Sequence, residues 1–497
     1  MTDLLQLHLP VLQVVLPMLA APLVMLMARR PDAAWATTTL TSWLTLAVSI
    51  LLLVRVQAEG VITYHMGGWI PPVGIEYRVD EANILVLLVI SFISAVVMPF
   101  ARLSVAREVP HDRLAFFYAA FLLANCGLLG IAITGDAFNI FVFFEIAALA
   151  SYALIASGRE RRAAMASYQY LVMGTIGTTF LLIGIGFVYI MTGTLNLVDL
   201  AERLPEVNDT RTVRAALAFI VVGISLKLAL FPLHLWLPNA YAYAPSMVTV
   251  FLSATATKVA IYVLMRFIFS VFGHELSFEE LEMNLLLMPL AMLGMLIPSL
   301  VAIFQTDIKR MLAYSSVAQV GYIILGVSFA STLGLMASVL HLFNHAITKA
   351  ALFMAMACIA WRLGGVSITH MTGAAKRMPW TMAAFVIAGL SLIGVPLTAG
   401  FVTKWHLILA SLDGGLWPIA VFVLGTSTLA VLYVWKVVEV AYFYAPKDED
   451  ETMHEAPLLM LVPTWVLTLA CLYFGIETSL PVGLAADAAE TLMGGYP

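Results

Sequence analysis

Charged side chains are scarce in this chain of 497 residues. Asp, Glu, Lys and Arg make up 11% of it and hydrophobic residues 62%, whereas soluble domains average roughly 25% and 45–50%. This composition excludes an ordinary water-soluble globule and favours a membrane protein. The formal net charge of −5 also leaves no basic excess, so we expect no nucleic-acid partner.

Cysteine is rare as well, and each cysteine is isolated. Cys126, Cys358 and Cys471 lie singly in apolar segments, without the paired spacing of a disulfide framework, a zinc site or an iron–sulfur cluster. We therefore expect neither a metal nor a cofactor. The N-terminus lacks the basic region of a signal peptide, because the first basic residues, Arg29 and Arg30, follow the first apolar run. We expect that run to be retained as a span.

Long apolar runs account for most of the chain. A transmembrane helix needs about 20 mostly apolar residues. Fourteen segments have that character: 10–28, 33–54, 79–101, 113–134, 137–157, 165–192, 213–236, 246–271, 284–304, 311–330, 333–361, 380–411, 417–444 and 457–475. The pattern predicts an all-α integral membrane protein with a single membrane domain over residues 1–497, embedded in a lipid bilayer. The pair Gly135–Asp136 favours a turn between the fourth and fifth segments.

The basic residues of the loops predict an orientation. One set of alternate loops holds Arg29, Arg30, Arg102, Arg107, Arg113, Arg159, Arg161, Arg162, Lys309, Arg310, Arg362, Lys376, Arg377 and Lys447. The other set holds Arg55, Arg78, Arg203, Arg211 and Arg214. Because cytoplasmic loops carry the excess of Lys and Arg, the fourteen-residue set should lie inside, and both termini should lie outside.

A few ionisable residues remain within the spans. The basic ones are Lys227, Lys258, Arg266, Lys349, Lys404 and Lys436. Arg266, and with it Lys436, lies toward the end of its span, where the side chain can reach the interface. Glu145, Lys227, Lys258 and Lys349 lie near the middle of theirs. Ionisable residues at that depth are costly and usually functional, so we predict that these groups carry protons.

Glu145 lies in FVFFEIAALA, where no neighbouring residue can neutralise it. Its predicted partner is Lys227, on another span, because a buried carboxylate and ammonium each favour the charged form of the other. The alternative is a static ion pair that only fixes the register of the helices.

Two spans carry helix breakers next to a lysine. Pro232 follows Lys227, and Pro396, between Gly394 and Gly400, precedes Lys404. Proline removes a backbone donor and kinks a helix, and freed backbone at membrane depth must line protein or water. The seventh and twelfth spans are five apart, so any repeat that relates them is inverted.

His341, His345 and Lys349 are spaced by four in HLFNHAITKA and share one helical face. Histidine titrates near neutrality, which suits a proton relay. A metal site is disfavoured because HLFNH lacks the glutamate of HExxH, and interhelical hydrogen bonding is the structural alternative. His234, next to the first break, and Lys436 are weaker relay candidates.

Several motifs together resemble the antiporter-like proteins shared by respiratory complex I and multi-subunit Mrp sodium/proton antiporters. They are TGDAFNIFVFFEI (134–146), LFPLHLWLPNAYAYAP (230–245), ATKVAIYVLMR (256–266), DIKRMLAYSSVAQVGY (307–322), HLFNHAITKA (341–350) and GVPLTAGFVTK (394–404). The resemblance covers nearly the whole chain, and GGWIPPVGIEYRVD (67–80) is closest to the D subunit of Mrp antiporters.

The resemblance implies a division of the chain. Three N-terminal helices occupy 1–101, inverted five-helix repeats occupy 113–271 (spans 4–8) and 284–444 (spans 9–13), and a last helix occupies 457–475. It also implies a polar chain from Glu145 through Lys227, Lys258 and the His341/His345 face to Lys404. Asn239 departs from the pattern, because many relatives carry Asp after WLP.

The resulting hypothesis is a proton-conducting subunit of a sodium/proton antiporter in a bacterial inner membrane, serving pH homeostasis with other membrane subunits. It would be a transporter subunit and not an enzyme. The alternative is a proton-pumping subunit of a complex I-like oxidoreductase or a membrane hydrogenase. A scaffold that has lost transport is a third class, and the intact set of Glu145, Lys227, Lys258 and Lys404 argues against it.

Overall fold

The computed structural model describes residues 2–445 and 455–496, so Lys447 lies outside the described residues. The helices of the described part are α1 (Thr2–Leu26), α2 (Pro31–Glu59), α3 (Glu81–Glu108), α4 (Leu114–Ile133), α5 (Ala137–Ala156), α6 (Arg161–Thr192), α7 (Leu197–Arg203), α8 (Arg211–Leu228), α9 (Trp236–Tyr243), α10 (Ser246–Met265), α11 (Met283–Ile303), α12 (Ile308–Ser328), α13 (Thr332–Leu363), α14 (Ala374–Arg377), α15 (Pro379–Ile393), α16 (Ala399–Asp413), α17 (Trp417–Phe443), α18 (Leu458–Ile476) and α19 (Ser479–Gly494). Strands β1 (Ile62–His65) and β2 (Glu76–Val79) form an antiparallel hairpin.

The predicted all-α membrane fold is confirmed. Twelve of the described helices are long and apolar enough to cross a membrane. They match twelve of the predicted spans. Of the remaining two, 213–236 contains α8 and ends where α9 begins, and 380–411 contains most of the interrupted pair α15–α16. Fourteen crossings require both interrupted pairs to span the bilayer, and that count stays a prediction.

Aspartate side chains cap three of the long helices. Asp80, Asp136 and Asp307 precede α3, α5 and α12, and each accepts a hydrogen bond from a backbone N–H in the first turn, at 3.2, 2.7 and 2.9 Å. The first four N–H groups of a helix have no partner within the helix, so these caps satisfy donors that would be costly to leave bare.

Small residues set the closest helix contacts. A Cβ on Gly223 of α8 would lie 2.6 Å from the carbonyl oxygen of Gly177 on α6, so the two backbones touch directly, as small residues allow in membranes. Helices α10 and α13 pack against each other near the middle of the molecule, and both are largely buried. The interior that they share holds most of the predicted site.

The junction before α5 and the junction before α12 have the same backbone pairing. The bonds run from Ala137 N to Leu195 O (2.8 Å) and Leu197 N to Gly135 O (2.9 Å) at the first junction, and from Ile308 N to Val366 O (2.9 Å) and Ile368 N to Thr306 O (2.9 Å) at the second. Every residue of the second set follows its counterpart by the same number of positions. This recurrence supports the predicted pair of repeats.

The two junctions lie at opposite ends of α3. The first is beside β2, where Gly135 N donates to Glu76 O, just before α3 begins. At the second, Asp307 shares a pocket with Glu108, the last residue of α3. Equivalent junctions at opposite ends of the molecule are what an inverted relationship requires.

Two helices end inside their predicted spans. α8 ends at Ala229, which has a φ of 58°, and Leu230 N turns back to Ser225 O. α15 ends at Gly394, which has a φ of 90°, and Val395 N turns back to Leu390 O. Pro232 and Pro396 lie in the non-helical segments that follow, so both helices stop before their proline.

Besides the short helices α7 and α14, the β1–β2 hairpin and α19 are not part of any predicted membrane helix. The β1–β2 hairpin precedes α3, and α19 follows the last predicted helix and packs on α3 and α13. With 16 residues, α19 is shorter than the length needed to cross a bilayer. The segment after 475 therefore continues as a helix that the prediction of a last helix at 457–475 did not include.

Candidate functional site

Glu145 projects from the middle of α5 and is half-buried. Phe144 beside it is buried, and the ammonium of Lys227 lies 5.8 Å from the centre of the Phe144 ring. The side chain is therefore partly uncovered by the described residues.

Lys227 is buried in the last turn of α8. Its Nζ has no hydrogen-bond partner among the described residues. The charge of Glu145 nevertheless acts on Lys227. The predicted Glu145–Lys227 partnership is therefore not a direct ion pair, but an interaction across the space between α5 and α8.

Lys258 lies on α10, 1% exposed. It donates to the carbonyl oxygen of Ser253, and its Nζ is 3.5 Å from Thr257 Oγ1. These neutral oxygens do not neutralise its charge. That charge acts on His345 and Lys349 of α13, so α10 and α13 contribute to one group of interacting bases.

The shared face of α13 points into the interior, as its spacing predicts. His341 is held on both nitrogens, with Nε2 2.9 Å from Gln319 Oε1 and Nδ1 3.1 Å from Thr403 Oγ1. His345 has no hydrogen-bond partner on either nitrogen within the described part of the chain. The His341 imidazole is thus fixed, whereas both ring nitrogens of His345 lack a hydrogen-bond partner among the described residues.

Lys349 and Lys404 both donate to backbone carbonyls. Lys349 Nζ bonds Leu312 O at 2.9 Å and also the hydroxyl of Ser315. Lys404 Nζ bonds Leu392 O at 3.1 Å and Ile393 O at 2.7 Å, the carbonyls left free where α15 ends. The broken helix therefore supplies the oxygen ligands of this ammonium.

These groups form two interacting sets. Lys258 acts on His345, and both Lys258 and Lys404 act on His341. Glu145 acts on Lys227 in the other set, and the order Glu145, Lys227, Lys258, the α13 face and Lys404 stays a prediction. We call the two sets together the buried row.

Small cavities accompany the row. One of about 20 Å³ lies beside Lys227, and another of about 10 Å³ lies among His341, His345 and Lys404. A water molecule needs roughly 10–15 Å³. The first cavity has room for one water, and the second is at the lower limit.

A larger pocket, of about 560 Å³, opens at the end of the molecule where α3 ends. Its walls include Glu108, Glu160, Lys309 and Arg310. Burial raises the pKa of Glu160, while the positive charges of Lys309 and Arg162 oppose that shift. Among the described residues, this pocket brings both signs of charge to one end of the bundle.

The sequence profile of the family described as NADH:quinone oxidoreductase/Mrp antiporter, transmembrane, matches residues 134–430. The matched region contains the whole buried row. The chain belongs to this family.

Relatives within the NADH:quinone oxidoreductase/Mrp antiporter family carry both kinds of name. The chain is 39% identical to an N subunit of NADH-quinone oxidoreductase from Desulforudis audaxviator, over 94% of this chain and 96% of that one. It is 31% identical to the D subunit of a Na(+)/H(+) antiporter from Alkalihalophilus pseudofirmus, over 85% of each. A solved chain of the Mrp complex from Dietzia sp. is 27% identical, with a TM-score of 0.89 and 98% of both chains covered. The resemblance to the D subunits of Mrp antiporters is confirmed.

The weaker relay candidates Lys436 and His234, and the departing residue Asn239, each have their own contacts. Lys436 donates to Ile303 O and Gln305 O, both at 3.1 Å, and so caps the end of α11. His234 is buried and its ring stacks on Phe231, with the ring centres 5.3 Å apart. Asn239 donates to Gln169 Oε1 at 2.8 Å and ties α9 to α6.

The interpretation of Arg266 as a residue that reaches the interface is wrong. Arg266 is 2% exposed and donates to both carboxylate oxygens of Asp80, to Oδ2 at 2.6 Å. Arg78 lies 3.7 Å from the same carboxylate, and the Tyr496 ring lies 5.2 Å from both guanidinium groups. Asp80 pulls Arg266 inward because a buried guanidinium needs a counter-charge.

Several polar neighbours were not predicted. Gln319 and Thr403 hold His341 from α12 and α16, but no spacing in the sequence links them to it. A signal was available for Gln319, because an amide within the apolar run SSVAQVGY is unusual. Asp80 could have been recognised only as the cap before an apolar run.

Proposed function

We propose that this chain conducts protons as a subunit of a multi-subunit Na⁺/H⁺ antiporter. The observation that carries the proposal is the buried row, a set of buried or half-buried ionisable side chains on α5, α8, α10, α13 and α16. A structural framework would need far fewer of them, because each buried charge is costly.

The charges of the row favour proton movement. Four lysines and two histidines face one carboxylate, so they cannot all be protonated at once without strong mutual repulsion. A proton that binds to one base lowers the proton affinity of the next base. Loss of a proton at one end therefore makes the neighbouring group ready to accept another.

The groups differ in their freedom to exchange protons. Lys349 and Lys404 are held by carbonyl oxygens, whereas Lys227 and His345 have no partner among the described residues. We propose that water joins these unpartnered groups to the rest of the row. The cavity beside Lys227 supports this step.

The half-buried position of Glu145 supports a partner beside this residue. A carboxylate at membrane depth is not stable against lipid. We propose that another membrane subunit of the same complex covers it. The pocket at the end of α3, which Glu108 and Glu160 line, would admit protons or Na⁺ at that end of the bundle.

The test is sodium-dependent proton exchange in everted vesicles from cells that lack their own antiporters. The chain is expressed with its operon neighbours, and the control omits this chain alone. We expect Na⁺ to dissipate an imposed pH gradient only with the complete set. If the gradient survives Na⁺ in vesicles that contain the assembled complex, the antiporter assignment fails.

The second candidate is a proton-pumping subunit of a redox enzyme, favoured by the relative named as an N subunit of NADH-quinone oxidoreductase. Purification of the complex separates the two candidates. Flavin or iron–sulfur proteins that co-purify, with proton pumping driven by an electron donor, would assign this chain to the redox class.

We also propose a bacterial inner-membrane location with both termini outside, from the excess of basic residues in one set of loops. A reporter at the C-terminus tests this. Alkaline phosphatase, which folds only outside the cytoplasm, should be active there, and a fluorescent cytoplasmic reporter should be silent. The opposite pattern would reverse the orientation.

A further inference from the structure

Tyr152 lies on α5, two turns after Glu145, with its ring buried. The ring meets Tyr170 edge-on at 4.7 Å, and Tyr170 stacks on Trp236 at 4.0 Å. These contacts fix the ring. Yet the hydroxyl of Tyr152 has no hydrogen-bond partner among the described residues.

Gly174 of α6 makes the space that the hydroxyl occupies. A Cβ at this position would lie 2.0 Å from Tyr152 Oη and 3.6 Å from Lys227 Nζ. Any residue larger than glycine would therefore displace the hydroxyl. Tyr152 Oη and Lys227 Nζ can be no farther apart than the sum of these two distances, which equals two hydrogen bonds of about 2.8 Å placed end to end. A single water can therefore join the two atoms.

A cavity that can hold a water lies on the Lys227 side of this gap, although Tyr152 itself is not among the residues that line it. The cavity of about 20 Å³ beside Lys227 is also lined by Ser151, the neighbour of Tyr152, and by Tyr170. It has the volume of one water and the polar partners that a buried water needs.

Glu145 is on the same helix as Tyr152, two turns toward its N-terminus. A tyrosine side chain on a helix leans toward the N-terminus of that helix, and from Tyr152 this is the direction of Glu145. The charge of Glu145 acts on the Tyr152 hydroxyl. The hydroxyl is thus close to Lys227 and within electrostatic reach of Glu145, the two residues that the structure leaves without a direct ion pair.

We propose that the Tyr152 hydroxyl relays protons between Lys227 and Glu145, with Gly174 as the residue that makes room for it. The inference rests on the proposed function and adds a residue to the row. The Lys227 ammonium gives a proton to the bridging water, which gives one of its own to the lone pair of Tyr152 Oη. Tyr152 releases its original hydroxyl proton to a second water, which passes one of its own protons to the Glu145 carboxylate. Lys227 ends neutral, Glu145 ends protonated, and water and tyrosine are unchanged.

Packing alone does not explain a tyrosine here. Phenylalanine would fill the same space and make the same edge-on contact with Tyr170, without the penalty of a buried hydroxyl that lacks a partner. Gly174 likewise weakens the interior of α6 relative to alanine, and the space that it provides is used by the hydroxyl.

Three variants of the whole complex test the relay: Tyr152→Phe, Gly174→Ala and the double variant. We expect Tyr152→Phe to slow Na⁺-driven proton exchange by about tenfold or more, since a positioned proton-transfer group contributes at least that much. Its solvent deuterium isotope effect should rise, because proton transfer becomes rate-limiting. Gly174→Ala should slow exchange in the native background and add little in the Tyr152→Phe background, where the displaced oxygen is gone.

Tyr118→Phe is the matched control, because Tyr118 is a buried tyrosine on α4 that lines neither small cavity. It should exchange like the native protein. Native rates in Tyr152→Phe would overturn the relay. Slow exchange with an unchanged isotope effect and a lower melting temperature would assign Tyr152 to packing, and would overturn it as well.

Infrared difference spectroscopy of the purified complex separates failure of the relay from failure of the antiporter assignment. Glu145→Gln identifies the carboxyl band of Glu145, and Tyr152→Phe should shift that band. If the native complex does not exchange Na⁺ but the band shifts, the relay stands and the cation assignment fails. If native exchange is present and the band is unmoved, the relay is wrong.

Discussion

Bases of the same type have different surroundings in this protein, and those differences set their roles. Lys436 and Lys404 both donate to carbonyls at a helix end. Lys404 is buried beside His341 and over the Tyr322 ring at 4.9 Å, whereas Lys436 is only half-buried at the end of α11. The same kind of hydrogen bond is therefore found in the buried row in one case and at an outer helix end in the other, and we propose that only Lys404 carries protons.

Replacement of these two lysines gives a matched prediction. Lys404→Ala should lower proton exchange by at least about tenfold, because it removes an ionisable group that the row needs. Lys436→Ala should keep most of the exchange and lose about 0.3–1 kcal/mol of helix-end stabilisation. Exchange rates in vesicles, normalised to assembled complex, measure both. Equal losses in the two variants would contradict the assignment of Lys404 to the row.

The Asp80–Arg266 pair predicts a stability effect without a change of shape. Asp80→Asn keeps the atoms that cap α3 but removes the charge that faces Arg266. A buried charge left without its partner costs about 3–5 kcal/mol. We expect a clear fall in the melting temperature of the purified protein in detergent.

The control for that prediction is Glu59→Gln, which removes the charge from the exposed Arg55–Glu59 pair. Exposed pairs contribute roughly 0–1 kcal/mol, so the melting temperature should hardly move. If both variants melt alike, Arg266 does not depend on Asp80.

At the scale of helices, the contact between α6 and α8 places Lys227 beside α5. Gly223 lies one turn before Lys227 and touches the α6 backbone. Gly223→Ala would put a methyl 2.6 Å from Gly177 O and 2.7 Å from Leu181 N. Backbone atoms cannot yield as a side chain can, so we expect about 1–3 kcal/mol of destabilisation.

Gly186 is the matched control on α6, because a Cβ there meets nothing within 4 Å. Gly186→Ala should leave stability unchanged or raise it by up to about 1 kcal/mol, since alanine favours a helix. Thermal unfolding in detergent compares the two glycines. A stable Gly223→Ala protein would show that α6 and α8 can separate without cost.

The membrane helices and the helix breaks could be predicted because each has a local cause in the sequence. Runs of about 20 apolar residues predict spans, and the i, i+4 spacing of His341, His345 and Lys349 predicts a shared face. Helix α19 could not be found this way, because its 16 residues include Asp487 and Glu490 and do not form a span.

No local sequence pattern predicts the contacts between residues that are far apart in the chain. Asp80 and Arg266 are 186 positions apart, and Gln319 and His341 lie on separate helices. Their meeting depends on how α3, α10, α12 and α13 pack together. For the same reason the sequence predicts that Glu145 and Lys227 interact, but not that Tyr152 and Gly174 lie beside Lys227.

At the scale of the whole molecule, the repeated junctions before α5 and α12 lie at opposite ends of α3, and the buried row draws on both halves of the chain. Glu145 is on α5 in the first half and Lys404 is on α16 in the second half. We propose that protons which pass between the two halves follow the buried row.

The most direct test of this claim is proton flux into proteoliposomes that contain the purified complex, driven by an outward Na⁺ gradient. Native protein, Lys227→Ala and Lys436→Ala are compared at equal amounts of assembled complex. We expect flux in the native protein and in Lys436→Ala, and none above background in Lys227→Ala. Normal flux in a well-assembled Lys227→Ala complex would show that protons do not pass along the buried row.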